Sequence, residues 1–295
     1  MPEKTGELQN YLMDSSRWND FAFRDDDIVI ATWSKSGTTW MQQIVGQLIF
    51  GGKEGMPVMD MCPWVDLRVL PKEEILEMLD GQNHRRFMKT HLPVDSLVFS
   101  PQARYIYIGR DGRDAIWSWH NHHSSFTDQA YQMFNETPGR VGAPLQKPNA
   151  DIVEYYREWL EKDGYPMHPF FSNVRSWWEI RDLPNVLLIH FNDMKADLEG
   201  SIRRIAEFLD IAVDPEDWPA IVQHCTFDYM KAHADELTPM LEQLLNGGGQ
   251  SFIHKGTNGR WRDVLSSDQL AQYDAACAKV LTPDCRHWLE HGGKV

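Results

Sequence analysis

The chain has 295 residues, 42% of them hydrophobic and 24% charged, a balance that excludes a disordered or membrane-embedded protein and fits a globular one with a sizeable core. A formal net charge of −14 excludes bulk electrostatic attraction to nucleic acid or anionic membrane, so any bound anion has to be held by local positive groups against the overall field. The four cysteines show neither C-x-x-C nor His-partnered zinc spacing, Met1 to Thr5 lacks a signal-peptide core, and no apolar run is long enough to span a membrane; a cytoplasmic protein with free thiols, folded as a single domain over 1–295, is expected.

Residues 1–27 are polar with scattered aromatics (Tyr11, Trp18, Phe21, Phe23), expected to pack over the core or help cover a ligand, and Asp25 to Asp27 read as a solvated turn. Ile28 to Thr32 is apolar without alternation, the pattern of a strand buried on both faces. A loop of small polar residues, Ser34 to Thr39, follows. Beyond it Trp40, Met41, Ile44, Val45, Leu48 and Ile49 form a helical stripe. A helix start after such a loop presents unpaired N–H groups and a partial positive charge. Gly37 admits an anion close to the backbone, Lys35 adds a full charge, and Thr38 and Thr39 add hydroxyls, so the loop can cradle phosphate. It is not a Walker A loop, because here the Lys precedes the Gly; the alternative is an ordinary capped turn.

Residues 51–66 read as loop, with Trp64 either packed or forming a pocket wall, and Pro71 to Leu79 as a helix. Arg86 to Pro93 reads as a second strand, with His91 near its end and Lys89 on the same face; such a pair makes an acid/base site, where a lone His is more often structural. Arg104 to Gly109 is a third strand. Arg110 leaves its end, Asp114 is placed as the cap of the next helix, and Ser118 falls about one turn inside it. Arg110 and Arg113 could hold phosphate or simply pair with Asp111 and Asp114. His120, Asn121, His122 and His123 are adjacent helical positions that diverge, so no metal site is expected.

Residues 124–150 read as a long irregular insertion, Asp151 to Trp159 and Val174 to Ile180 as helices, and Asn185 to Phe191 as the fourth strand, leading into Asn192 to Lys195. A helix carrying Leu198, Ile202, Ile205, Ala206 and Leu209 follows, then helical segments over 215–245. Asn246 to Gln250 reads as a flexible hinge, Phe252 to Arg262 as a glycine- and cation-rich loop suited to closing over an anion, and Ser267 to Val280 as the last helix.

Strands alternating with helices imply an α/β fold, a P-loop-like central parallel β-sheet flanked by helices on both faces. Lys35, His91, Arg110 and the 191–195 turn then all fall beyond the carboxyl ends of the strands, where such sheets bind ligands. At this point the sequence resembles the cytosolic sulfotransferases: Ser34 to Trp40 is similar to their 5′-phosphosulfate loop, Lys89 to Pro93 to their catalytic-histidine segment, the Arg110/Ser118 spacing to their 3′-phosphate site, Phe191 to Lys195 to their strand-end turn, and Phe252 to Trp261 to their cofactor loop.

The resemblance implies 3′-phosphoadenosine 5′-phosphosulfate (PAPS) as donor and 3′-phosphoadenosine 5′-phosphate (PAP) as product, with no metal. Carried across, Lys35, Ser36, Gly37, Thr38 and Thr39 hold the phosphosulfate and Trp40 stacks on adenine, with Phe191, Cys225, Phe227 and Met230 nearby. Arg110 and Ser118 take the 3′-phosphate, with His254, Lys255 and Gly256 closing over it. His91 is the general base, with Lys35 and Lys89 supplying positive charge. Departures are His254 for the usual Arg, Phe191 for a Tyr, Cys225 for a Thr, and no family dimer motif in 262–271. Trp64, Phe126, Met133, Phe134 and Phe171 are expected to line the pocket of a small, apolar acceptor. Two rival readings remain at this stage: a nucleotide kinase with an altered P-loop, for which Asp193 is the strand-end candidate to hold Mg²⁺, and a nucleotide-binding regulator without catalysis.

Overall fold

The apolar runs become four short parallel strands, β1 (Ile28–Thr32), β2 (Phe87–Thr90), β3 (Arg104–Gly109) and β4 (Val186–His190), in a computed structural model that describes residues 1–295. They pair in the order β2-β1-β3-β4. Every residue of β1 and β4 is buried, as a parallel strand covered by helices on both faces requires. Alternate side chains feed two cores. Val29, Ala31, Met88, Tyr105, Tyr107 and Leu188 face a large aromatic cluster containing Trp33, Trp159, Phe170 and Trp177. Ile28, Ile30, Phe87, Ile106, Ile108 and Ile189 face a smaller aliphatic one, which takes Met41, Ile44, Val45 and Leu48 from the helix Thr38–Ile49 and Ile202 and Ile205 from the helix Leu198–Phe208. No helix is long and apolar enough to cross a membrane.

Register decides what meets at the carboxyl edge. Ala31 lies beside Thr90 and Tyr107, Thr32 beside Ile108, and Gly109 beside His190. The four strands therefore release their following residues along one rim. Gly109 is needed there: a Cβ would sit 2.4 Å from the ring of Trp288. Trp288 belongs to a terminal helix, Pro283–His291, that lies beyond the last helix expected from the sequence, Ser267–Val280.

Several local expectations are corrected. Asp27 is not solvated; it is buried and paired with Arg86 at 2.5 and 2.7 Å, because Arg86 precedes β2 directly beside it. Asp111, not Asp114, caps the helix Gly112–Ser124: its carboxylate accepts from the Arg113 N–H, while that of Asp114 accepts from the backbone of Gly259. Ser118 accordingly lies nearly two turns in. The stretch 124–150 contains a helix, Asp128–Glu136, capped by Thr127, and 51–66 contains a short one, Val58–Met61. The 246–250 glycines are not a free hinge. They open the helix Gly248–Phe252, and a Cβ on Gly249 would fall 2.4 Å from the carbonyl oxygen of Ala234, so glycine serves close packing there.

The Asp27–Arg86 pair is fully enclosed, and removing one partner strands a buried charge. Arg86→Ala should lower unfolding stability by about 3 kcal/mol in urea denaturation. A loss below about 1 kcal/mol would show that Asp27 finds another partner.

Candidate active site

The rim opens onto a cavity of about 380 Å³ with a cationic half and an apolar half. The cationic half is built from loops. After β1 the chain turns sharply: Lys35 has φ +65° and Gly37 φ +118°, and a Cβ on Gly37 would press within 3.1 Å of the Phe191 ring. Only glycine suits that combination of backbone angle and space. The turn leaves the first N–H groups of the helix Thr38–Ile49 facing the cavity, where Gly37, Thr38, Thr39 and Trp40 are all lining residues.

Arg110 binds both ends of this half. Its guanidinium donates to the Lys35 carbonyl at 2.8 Å and to Asn258 Oδ1 at 2.7 and 3.1 Å, and lies 4.2 Å over the Phe191 ring. Lys195 Nζ donates to the Gly256 carbonyl at 2.7 Å, and Asn258 Nδ2 to Asn192 Oδ1 at 2.6 Å. The loop after Phe252 is thus tied to the ends of β3 and β4. Gly256 has φ +60° and lies against Phe227, where a Cβ would come within 2.6 Å of the ring. Trp40, whose Nε1 donates to the Cys225 carbonyl at 2.7 Å, lines the cavity with Phe227 and Phe191, and its ring meets Phe191 edge-on at 5.3 Å.

None of Lys35, Lys89, Arg110, Lys255 or Arg260 has a carboxylate within ion-pair distance. Burial, with Arg110 and Lys89 close by, pulls the Lys35 amine down to about 7. Burial also lowers Lys89, and brings Arg110 down to about 10. Lys35 Nζ lies 3.8 Å over the Phe252 ring. Arg113 is different: it pairs with Asp111 and stacks on Trp261, away from the cavity lining.

His91 stands where the two halves meet. Its Nδ1 lies 2.8 Å from the Thr32 carbonyl, which can only accept, so Nδ1 carries the proton and Nε2 keeps its lone pair. The Thr32 hydroxyl lies 3.0 Å from the same nitrogen and 2.7 Å from the Thr38 hydroxyl. One residue at the end of β1 therefore couples His91 to the anion loop. Burial first, then Lys89, pushes the imidazole down to about 3, so it is neutral near neutral pH. Asp66 orients the neighbourhood by accepting from Trp64 Nε1 at 2.6 Å, Trp18 Nε1 at 3.2 Å and the His91 N–H at 3.4 Å. Trp64 meets the His91 ring edge-on at 4.7 Å and lies 5.3 Å from Lys89 Nζ.

Of the residues singled out by sequence, the cavity also collects Ser118, Met230, His254, Lys255, Gly256, Phe126, Met133 and Phe134. Ser36 and Cys225 are buried beside it rather than in its lining. Phe171 lies outside the lining altogether, packed on Trp159, Phe170 and Tyr273 in the core. Asp193 is taken up by the backbone of Gly293 at 3.0 and 3.1 Å and also lies outside the lining. No group of three or more His, Cys, Asp or Glu side chains is arranged to hold a metal. Thr32 and Asp66 were not marked by sequence: Thr32 reads only as the last residue of a strand, and Asp66 carries no local signature. Asn258 and Arg260 fall in the 252–262 loop expected to close over an anion, without having been singled out within it.

The family model for the sulfotransferase domain matches residues 25–283. The glycolipid sulfotransferase of Mycobacterium tuberculosis is 30% identical over 305 residues, covering 96% of this chain and 94% of that protein. Sulfotransferase 1A1 of Rattus norvegicus is 28% identical, covering 96% of this chain and 90% of its own. The fold matches mouse sulfotransferase SULT7A1, solved with PAP, at a TM-score of 0.70 and 23% identity over 93% of this chain and 90% of that one.

The depressed His91 pKa has a direct readout. Nitrogen chemical shifts should show the neutral, Nδ1-protonated tautomer from about pH 5 to about pH 8. A ring that becomes charged near the ordinary histidine value would contradict the enclosure described here.

Proposed function

This chain belongs to the sulfotransferase family and is a sulfotransferase enzyme, and we propose that it moves a sulfuryl group from PAPS to a hydroxyl, or amine, of a small, largely apolar acceptor, with His91 as general base. The observation that carries the reading is the unneutralised set of cations around the same cavity that His91 Nε2 faces. In a chain of net charge −14, Lys35, Lys89, Arg110, Lys255 and Arg260 gather with no carboxylate in ion-pair contact, Asp114 and Asp66 acting on Arg110, Arg260 and Lys89 only from further off, and a bound polyanion supplies the missing charge.

The residues fit such a donor in three ways. The turn at Gly37, without a Cβ and with open helix N–H groups, suits the phosphosulfate end. Trp40, Phe191 and Phe227 suit a purine face. Arg110, Ser118, His254 and Lys255 suit a 3′-phosphate.

For catalysis, Nε2 of His91 accepts the acceptor proton as the acceptor oxygen bonds to sulfur. The bridging S–O bond breaks, its electron pair stays on the departing phosphate oxygen, and Lys35 and the helix N-terminus stabilise that charge. Neutrality of His91 before reaction is a requirement for this role. The negative donor offsets the field of Lys35 and Lys89, raising the imidazole's basicity once the site is filled. The glycolipid named for the mycobacterial relative supports an acceptor with a large apolar part, in keeping with the apolar half of the cavity. Asp193, held by the C-terminal backbone, offers little to a Mg²⁺-dependent kinase reading.

His91→Ala should lower turnover at least about a hundredfold while calorimetry still detects PAP binding. Near-normal turnover would remove His91 from the role of base. EDTA should leave the activity intact; loss of activity on chelation would favour the kinase.

His254 gives a pH signature. Burial first, then Arg260, Lys255, Lys231 and Lys35, hold its pKa below the ordinary value, whereas a bound phosphate raises it. PAP should therefore bind most tightly below the free-state pKa and more weakly as pH rises through the bound-state one, across the region of about 6.5. In His254→Arg this part of the dependence should vanish, leaving a slope from Lys35; an unchanged profile would place His254 away from the phosphate.

A further inference from the structure

The histidine-rich segment 120–123 is not absorbed by the reaction just described. His120 Nε2 is bonded to the Asn149 carbonyl at 2.8 Å, and His123 Nδ1 to the Tyr155 hydroxyl at 2.9 Å. His122 differs. It alone of the three lines the cavity; its Nδ1 is enclosed without a hydrogen-bond partner, as is Nε2 of His123. Its ring packs against three aromatic rings: Phe126 at 4.9 Å, Phe252 at 5.2 Å and Trp119 at 5.3 Å between centroids. A phenyl ring would satisfy all three contacts, so packing does not account for the nitrogens. Nδ1 is enclosed by these rings, whereas Nε2 has no protein partner and is not enclosed, so Nε2 is the nitrogen that a group bound in the cavity can reach.

Position tells what that group is. His122 is four residues beyond Ser118 on the helix Gly112–Ser124, hence on the same face and one turn further along, and both line the cavity. Phe252, which it touches, lies against Lys35 Nζ. Both imidazoles, His122 and His91, line this one cavity, and the positive charges of Lys35 and Lys89 act on each of them. Burial, followed by those cations and His123, keeps His122 neutral, with one donor and one acceptor nitrogen. The same cavity is also lined by Leu67, Val69, Leu70, Met133, Phe134 and Leu245.

We propose that His122 is a second recognition group for the acceptor, so that the enzyme favours an amphiphile whose polar head carries a second hydroxyl next to the reacting one, with an apolar tail behind it. This rests on the sulfuryl-transfer reading above. One hydroxyl meets His91 Nε2 and is sulfated; its neighbour exchanges a hydrogen bond with His122.

The test compares hexylcatechol with para-hexylphenol, which share ring and tail and differ in the adjacent hydroxyl. In the wild type, kcat/KM should favour the catechol. In His122→Phe the catechol-to-phenol ratio should fall at least about tenfold. His122→Gln, which keeps a donor and an acceptor, should restore part of the ratio. An unchanged ratio in His122→Phe overturns the proposal, and so does equal loss of turnover with both acceptors while PAP still binds, which would make His122 part of the reacting machinery instead. Should the Phe variant fail to bind PAP, ring nitrogen shifts of His122 in the wild-type PAP complex decide: they should move on adding the catechol and stay with the phenol, and the reverse, or no response to either, counts against the proposal. A wild type that binds no PAP would instead overturn the donor reading.

Discussion

Unneutralised positive charge organises this molecule. Lys35 is buried within the fields of Arg110 and Lys89, Arg110 is buried within that of Arg260, and Lys255 lines the same cavity. The one carboxylate in the lining, Asp60, forms no ion pair with them, and Asp114 and Asp66 act on Arg110 and Lys89 only from beyond ion-pair distance. Neutral oxygens do what they can: the Lys35 carbonyl and Asn258 Oδ1 take the guanidinium donors, and the Gly256 carbonyl takes Lys195. Such oxygens satisfy hydrogen bonds and leave the charge in place. The free site is therefore tense electrostatically, with Lys35 close to losing its proton at neutral pH. A polyanion would restore that proton and strengthen every contact at once, which links donor binding to proton uptake.

The second organising feature is Thr32. Its carbonyl fixes the His91 tautomer, and its hydroxyl reaches the Thr38 hydroxyl at the start of the anion loop. Because β1 lies between β2 and β3, the residue that ends it is flanked on both sides by reactive segments. A shift of one place in the pairing of β1 with β2 would carry His91 off that carbonyl and turn its side chain to the other face. Precision at the site is thus a property of the buried sheet, whose core supplies the rigidity.

Most of the fold was legible because it rests on local rules. Apolar runs marked the first, third and fourth strands within a residue, the second was placed but ends at Thr90 rather than running on to Pro93, and helical stripes marked the helices that cover them. The misreadings share a cause. Asp27 looked solvated until Arg86 was placed beside it, and Asp114 looked like a helix cap until Gly259 claimed its carboxylate. Gly249 looked flexible, whereas Ala234 leaves it no room for a side chain. In each case a partner distant in sequence overrode a local preference. Phe171 shows the same limit at the cavity: an aromatic residue reads alike whether it faces a ligand or the core.

What the sequence determined by itself was the set of chemical groups and their order: a glycine-containing anion loop after the first strand, a Lys and a His at the end of the second, an Arg at the end of the third, and a basic loop near the C-terminus. Those are properties of residue type and spacing. Only the tertiary structure decided which nitrogen of His91 is free, which cations lack a counter-ion, and that His122, not His120 or His123, turns into the cavity. Protonation, charge balance and facing depend on atoms brought together from distant parts of the chain, and no local pattern encodes them.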